Sequence, residues 1–180
     1  DSYHVKNAVA ILTFNRIHTT KKLLELMKII KPSRMYVIID APRKNRDGEV
    51  EQVNAVKQLF ENEINWNCEV KKNYAEENMG TCMRQYTGFS WVFENEEQAI
   101  ILEDDCIPNI DFFRFCDEML EKYKKLYPNI SDYSIMHFID IAEFCDMIMD
   151  KQKLENLNED ECYCLLSAAL FAPVSYTHLR

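Results

Sequence analysis

Apolar and polar positions fall along this chain in blocks of two kinds. Short continuous apolar runs read as strands buried on both faces, and stretches with apolar residues every three or four positions read as helices. Residues 7–14 (NAVAILTF) are the first run. Thr19 and Thr20 then stand where they can cap a helix carrying Leu23, Leu24, Leu26, Met27 and Ile30, which Pro32 ends. Residues 35–39 are a second run, closed by Asp40 and Pro42, and residues 43–48 are polar and loop-like. Val50, Val53, Val56, Leu59 and Phe60 predict a helix over 49–62, and 67–72 is a weak third strand. After Asn78-Met79-Gly80-Thr81, a helix is marked by Met83, Tyr86, Phe89, Ser90, Val92 and Phe93. The next run, Ala99-Ile100-Ile101-Leu102, meets three acids, Glu103, Asp104 and Asp105, and Pro108 follows. Residues 110–127 are the most amphipathic stretch, with Phe112, Phe113, Phe115, Cys116, Met119, Leu120 and Tyr123 on one broad face. Asn109 or Asp111 can cap it, Lys122, Lys124 and Lys125 suit its dipole, and the aromatic stripe reads as core packing. Residues 134–138 read as a further strand.

Strands alternating with helices predict a doubly wound, mostly parallel α/β sheet. In such sheets the carboxyl ends of the strands converge on one edge, where ligands bind. Three of the runs end in polar groups: Asn15 and Arg16, Asp40, and the acid triplet. Alternation along a strand places Glu103 and Asp105 on one face and Asp104 on the other. Three unpaired carboxylates at a buried strand end are costly to desolvate, and a divalent cation is the simplest remedy. Hard oxygen ligands suit Mg or Mn, and Mg takes one or two carboxylates together with substrate phosphates. The competing reading makes the same acids solvated turn residues, or caps for the helix that follows.

The totals narrow the choice. A chain of 180 residues suits one domain or slightly more. Its net charge of −9, from 30 acids and 21 bases, argues against a general nucleic-acid binder but allows an anionic small ligand held through a metal. Seven cysteines, an odd number with no C-x-x-C, read as buried thiols in a reducing compartment. Cys162-x-Cys164 is too little for a zinc site. No stretch approaches the ~20 apolar residues of a membrane span. With three glycines there is no G-x-G-x-x-G and no P-loop motif. His18 and His137 read as packed or capping residues.

Residues 8–127 resemble a nucleotide-diphospho-sugar glycosyltransferase of the GT-A fold, of the bacterial kind related to the Golgi N-acetylglucosaminyltransferase that begins complex N-glycans. The matching pieces are VAILTFNR at 9–16, VIIDAP at 37–42, ENMGTCMR at 77–84 and IILEDDCIPNIDFF at 100–113. The resemblance implies a GT-A sheet and a site residue by residue. Asp105 is then the acid that ligates Mn or Mg, with the ion bridging the two donor phosphates. Asp104 faces the ribose or sugar, and Glu103 supports the site from its strand. Arg16 is the basic residue near the diphosphate, with Thr13 and Asn15 beside it in the same piece. Asp40 reads the nucleobase, uracil, by accepting its imide N–H. Asn78 and Gly80 form the N-x-G turn lining the nucleotide, and Arg84 points to the site from the next helix. The implied reaction is sugar transfer from a UDP-linked donor to a glycan or lipid-linked acceptor in surface polysaccharide synthesis. The implied setting is the cytoplasm, with peripheral association at the inner membrane face. The residue types suit that chemistry, because a cation and a guanidinium neutralise charge on the departing diphosphate. Each can contribute about a few kcal/mol in the transition state. An inverting transfer also needs a carboxylate base for the acceptor hydroxyl.

The resemblance breaks after residue 138. In place of the family's glycine-containing loop and Trp-rich acceptor segment stand Ile139-Asp140-Ile141-Ala142-Glu143 and an acidic, cysteine-containing stretch. Residues 173–180 resemble a translated sequencing-adapter tail. The expectation is a donor domain over 1–138 and an incomplete or atypical acceptor side over 139–180, with a non-native tail and the catalytic base outside the chain. A catalytically silent nucleotide-binding or partner-binding domain is the alternative. A receiver-like signalling domain lacks its acid pair on the first strand and its lysine on a late one.

Overall fold

The computed structural model describes residues 3–126, 135–137 and 170–171. Among these the chain alternates strand and helix: β1 (Ala8–Thr13), α1 (Ile17–Ile30), β2 (Arg34–Ile39), α2 (Glu49–Asn62), β3 (Glu69–Tyr74), α3 (Thr81–Phe93), β4 (Ala99–Glu103), α4 (Ile110–Leu126), β5 (Ile135–His137) and β6 (Leu170–Phe171). They form one α/β sheet in the order β3-β2-β1-β4-β5-β6. Neighbours from β3 through β5 pair in parallel, and β6 closes the list antiparallel to β5.

The continuous apolar runs are the central strands, as a sheet covered on both faces requires. Every residue of β1 is buried, and so are the last five residues of β2. Alternate residues divide between two cores. Val9, Ile11, Val37, Ile39, Ile100 and Leu102 pack with Leu23, Leu24 and Met27 of α1, Val53 and Val56 of α2, and Phe113 of α4. Ala8, Ala10, Leu12, Ile38, Ala99 and Ile101 pack with Phe89 and Val92 of α3. Each fully buried aliphatic side chain contributes roughly 1.5–3 kcal/mol. Small residues on the α3 side let that helix sit close. At Gly88 an added Cβ would come within 2.6 Å of Ile38 Cγ2.

Three local expectations need correction. Thr19 and Thr20 do not cap α1: the helix begins at Ile17, with Arg16 in the capping position and no side-chain cap. Thr20 is instead buried and hydrogen-bonded to Thr13, 2.9 Å away. The third strand sits two residues later than its apolar content suggests, because β3 is an edge strand whose register follows pairing with β2. The two acids of the triplet nearest Pro108 are not strand residues. β4 stops at Glu103 and the chain turns there, with the Cys106 amide donating to the Glu103 carbonyl (3.0 Å). For α4, Asn109 is the cap, accepting the Phe112 amide at 2.9 Å. The buried Asp117 of α4 takes hydrogen bonds from the Tyr3 hydroxyl, the Lys6 amide, and both nitrogens of Asn7, tying the chain's start to that helix.

Cys68, Cys82, Cys106 and Cys116 are free thiols, two of them buried. No helix among the described residues is long and apolar enough to cross a membrane. The expectations for residues 138–169 and 172–180, among them Asp140, Glu143 and the terminal tail, lie outside the described residues.

Candidate functional site

Strand order reverses direction at β1, whose neighbours β2 and β4 lead the chain to opposite sides. The loops leaving β1 and β4 therefore part, and a crevice opens at their carboxyl ends. A cleft of about 340 Å³ occupies that position. Thr13, Asn15, Arg16, Asp40, Asn78, Gly80, Arg84, Glu103 and Asp104 all line it. Those are the nine residues singled out above as substrate-binding. Asp105, singled out for the metal, is not among the residues lining the cleft; it pairs with Arg16, which is. The sequence reading missed Arg43 and Thr81, which also line the cleft.

The turn after β4 decides what the acids do. Glu103 faces α3 and accepts from Gln85 Nε2 at 2.8 Å. Asp104 and Asp105 both reach Arg16, whose Nη1 is 3.0 Å from Asp104 Oδ1 and 2.5 Å from Asp105 Oδ2. The expected sharing of a face by Glu103 and Asp105 thus fails, because strand alternation ends where the strand does. Asp104 is buried, and desolvation pushes its carboxyl above the usual range, opposed by Thr13 and Arg16. The Thr13 hydroxyl donates to Asp104 Oδ2 at 2.9 Å. Its one proton so used, Thr13 accepts from Thr20, and a short relay runs from α1 to the carboxylate.

Asp40 at the end of β2 is buried and anchors the loop before α3. It accepts from the amides of Ala41 (2.9 Å), Met79 (3.0 Å) and Gly80 (3.0 Å), and from Asn78 Nδ2 (3.2 Å). Asn78 Nδ2 also donates to the Ala41 carbonyl at 2.6 Å. Gly80 has φ +73 and ψ 163, a conformation open to glycine and strained for other residues. Loop and strand end are thus held together by one carboxylate.

Arg84, on the first turn of α3, is 3% exposed. Its Nη2 donates to the backbone and side-chain oxygens of Asn73, at 2.5 and 2.8 Å, and both acceptors are neutral. Its buried Nε has no hydrogen-bond partner among the described residues. Burial lowers its pKa, offset in part by Asp40. Arg43, which also lines the cleft, closes the loop after β2 onto Glu49. Its backbone amide donates to Glu49 Oε2 at 2.7 Å and its Nε to both carboxylate oxygens, with Nη2 also paired. The guanidinium lies 5.8 Å from the Phe14 ring centroid. Asn15 Nδ2 reaches Glu49 as well, at 3.3 Å.

The helices add a further donor set. Gly80 and Thr81 at the start of α3, and Arg16 at the start of α1, line the cleft. Neither start carries a side-chain cap or an acid in its first turn, whereas α2 begins with Glu49 and Glu51. Uncapped helix starts present amide hydrogens and the positive end of the dipole, which favours anions. In an acidic protein, then, this cleft is lined by three arginines and three acids.

The donor set suits a hard cation that takes most of its ligands from phosphate and water. Asp105 is half-exposed and paired with Arg16, which lines the cleft, so it is an oxygen ligand of the hard type beside that residue. Among the described residues no group of three or more His, Cys, Asp or Glu forms a ready-made metal cage. Comparison with protein-family models, with curated proteins and with solved structures found no match.

Proposed function

We propose that this chain is the donor-binding part of a metal-dependent glycosyltransferase of the GT-A kind, taking a sugar linked to a nucleoside diphosphate, with UDP as the nucleotide. The observation that carries the reading is Arg84: a guanidinium buried beside the cleft, with neutral acceptors for Nη2 and a buried Nε that has no hydrogen-bond partner among the described residues. Burying a cation so incompletely paired is costly. An anionic ligand in the cleft would repay that cost, and the uncapped starts of α1 and α3 favour the same kind of ligand.

Arg16 and Arg84 would hold the diphosphate from two sides of the cleft. Asp105, with the phosphates, would hold Mn or Mg, and the ion would supply charge neutralisation as the sugar–phosphate bond breaks. Asp40 would position Asn78 and Gly80, and the nucleobase would then meet the loop that Asp40 shapes. The acceptor would be a glycan or lipid-linked sugar. Action at the inner face of a membrane fits such an acceptor.

The test is thermal unfolding of the chain with UDP and Mn. Ligand at a hundred times its dissociation constant stabilises by about 2.7 kcal/mol, which is several degrees for a chain of this length. The expected result is a rise in Tm with UDP plus Mn that Asp105→Ala abolishes. An unchanged wild-type Tm would remove the proposal's support. Sugar turnover measured on the same sample separates an enzyme from a silent nucleotide-binding domain.

A further inference from the structure

We infer that Arg16 is an exchangeable latch on the Asp104–Asp105 pair, one that makes cation binding at Asp105 conditional on a phosphate-bearing ligand. The inference rests on the nucleoside-diphosphate reading and adds to it an order of events that the motif alone does not contain.

One guanidinium nitrogen serves both carboxylates, at 3.0 and 2.5 Å. The Asp105 oxygen nearest the cleft residue Arg16 is therefore already occupied by positive charge. Asp105 Oδ1 has the Cys106 thiol 3.8 Å away and is not held by Arg16. A divalent ion bound there at about 2.0–2.1 Å would share the carboxylate with the guanidinium, and repulsion between the two positive charges favours displacement of the arginine. Displacement with nothing in exchange is unfavourable, because Asp104 is buried and its other oxygen is committed to Thr13. Loss of Arg16 would leave that charge short of a partner.

A phosphate changes the balance. It offers Arg16 a bidentate acceptor stronger than the single-nitrogen contact it now makes. Arg16 can follow, since its side chain is 56% exposed and leaves from the capping position of α1 without unwinding the helix. Arg84 points to an anion in the same cleft independently of the acids, through its buried Nε without a partner. As Arg16 turns from carboxylates to phosphate, the acids are freed and the incoming ion replaces the lost positive charge. Metal and phosphate then bind with positive coupling, and each ligand raises affinity for the other by the same factor.

The experiment measures Mn²⁺ alone, by loss of its free-ion paramagnetic resonance signal, on the full chain and on Arg16→Gln. A second titration follows the Mn·UDP complex by calorimetry. Wild type is expected to bind Mn²⁺ alone weakly and Mn·UDP more tightly. Arg16→Gln is expected to bind Mn²⁺ alone about fivefold or more tightly than wild type, within the usual range of coupling. Asp105→Asn in the Arg16→Gln background should remove that gain. Arg16→Ala repeats the comparison, so a folding defect in one variant does not decide it. If neither variant binds Mn²⁺ alone better than wild type, the latch is overturned. If wild type fails to bind Mn·UDP while Arg16→Gln still gains Mn²⁺, the nucleotide reading fails and the exchange between Arg16 and metal survives.

Discussion

The Asp40 carboxylate accepts the Gly80 amide at 3.0 Å across forty residues of chain. The same two oxygens also hold the amides of Ala41 and Met79 and the side chain of Asn78. Asp40→Asn would turn an NH₂ group toward donors that need an acceptor. Each buried donor left unsatisfied costs about 1–3 kcal/mol. The variant is therefore expected to lose about 2–4 kcal/mol of stability without any ligand, read from urea unfolding. A residue that only read a nucleobase would leave the ligand-free stability unchanged, so the measurement separates anchoring from reading.

Gly88 makes a prediction about packing alone. A methyl at this position would meet Ile38 Cγ2 at 2.6 Å, and Ile38 is completely buried near the carboxyl end of β2. Gly88→Ala should cost about 1–3 kcal/mol through overpacking, despite the better helix propensity of alanine. Ile38→Ala leaves a cavity and is costly by itself, at about 2–5 kcal/mol. Together the two should be less damaging than their sum, by about 1 kcal/mol in a double-mutant cycle. Additive losses would mean that α3 shifts to accept the methyl.

These two contacts mark the boundary of what could be read in advance. Buried strands announce themselves by uninterrupted apolar residues, so β1, β2 and β4 were legible. Periodicity likewise placed α2 at its observed bounds. β3 was misplaced by two residues because an edge strand with Glu69, Lys71 and Lys72 carries little apolar signal. Asn15, Arg16, Asp40, Glu103 and Asp104 were legible because polar groups at strand ends converge in this architecture, whereas Thr13, Asn78, Gly80 and Arg84 rested on the family resemblance. Their partners were not legible. That Thr20 faces Thr13 rather than capping α1, or that Arg43 folds back on Glu49, depends on loop conformations and no periodicity encodes them. The acid triplet was misread in orientation for a related reason: alternation was carried past the point where β4 turns.

The Glu49–Arg43 pair makes the stability depend on pH with a definite sign. Hydrogen bonds from the Arg43 side chain lower the Glu49 pKa from 4.5 to about 2, against the effect of desolvation. A depressed carboxyl stabilises the native state fully above its unfolded value, and the contribution is lost as pH falls from about 4.5 toward about 2. Glu49→Gln should therefore be less stable than wild type at neutral pH. The gap between the two should close over that window, followed by the urea midpoint at each pH. Asp104 acts in the opposite direction, since burial raises its carboxyl and native-state protonation there favours folding as pH falls. The difference between wild type and Glu49→Gln isolates one from the other. A gap that persists to pH 2 would show that the neutral hydrogen bonds, not the charge, hold the loop.

The last prediction sets stability against binding at Arg84. The side chain is buried, its hydrogen bonds go to Asn73, and its Nε is left over. Replacing it by Met keeps the length and the aliphatic packing and removes a charge that burial disfavours. The two bonds to Asn73 are lost, at about 0.5–1.5 kcal/mol net for each, more for a charged donor. Relief of the desolvation penalty offsets that loss, and Arg84→Met should unfold within about 1 kcal/mol of wild type, or roughly 2–4 °C. Ligand binding should respond quite differently. The rise in Tm on adding UDP and Mn is expected to disappear in Arg84→Met and to return only in part in Arg84→Lys, which restores a charge but not the fork of donors. A residue conserving its ligand response after loss of the guanidinium would be a packing residue. One that gives up the response while keeping its stability is held in the cleft for the anion.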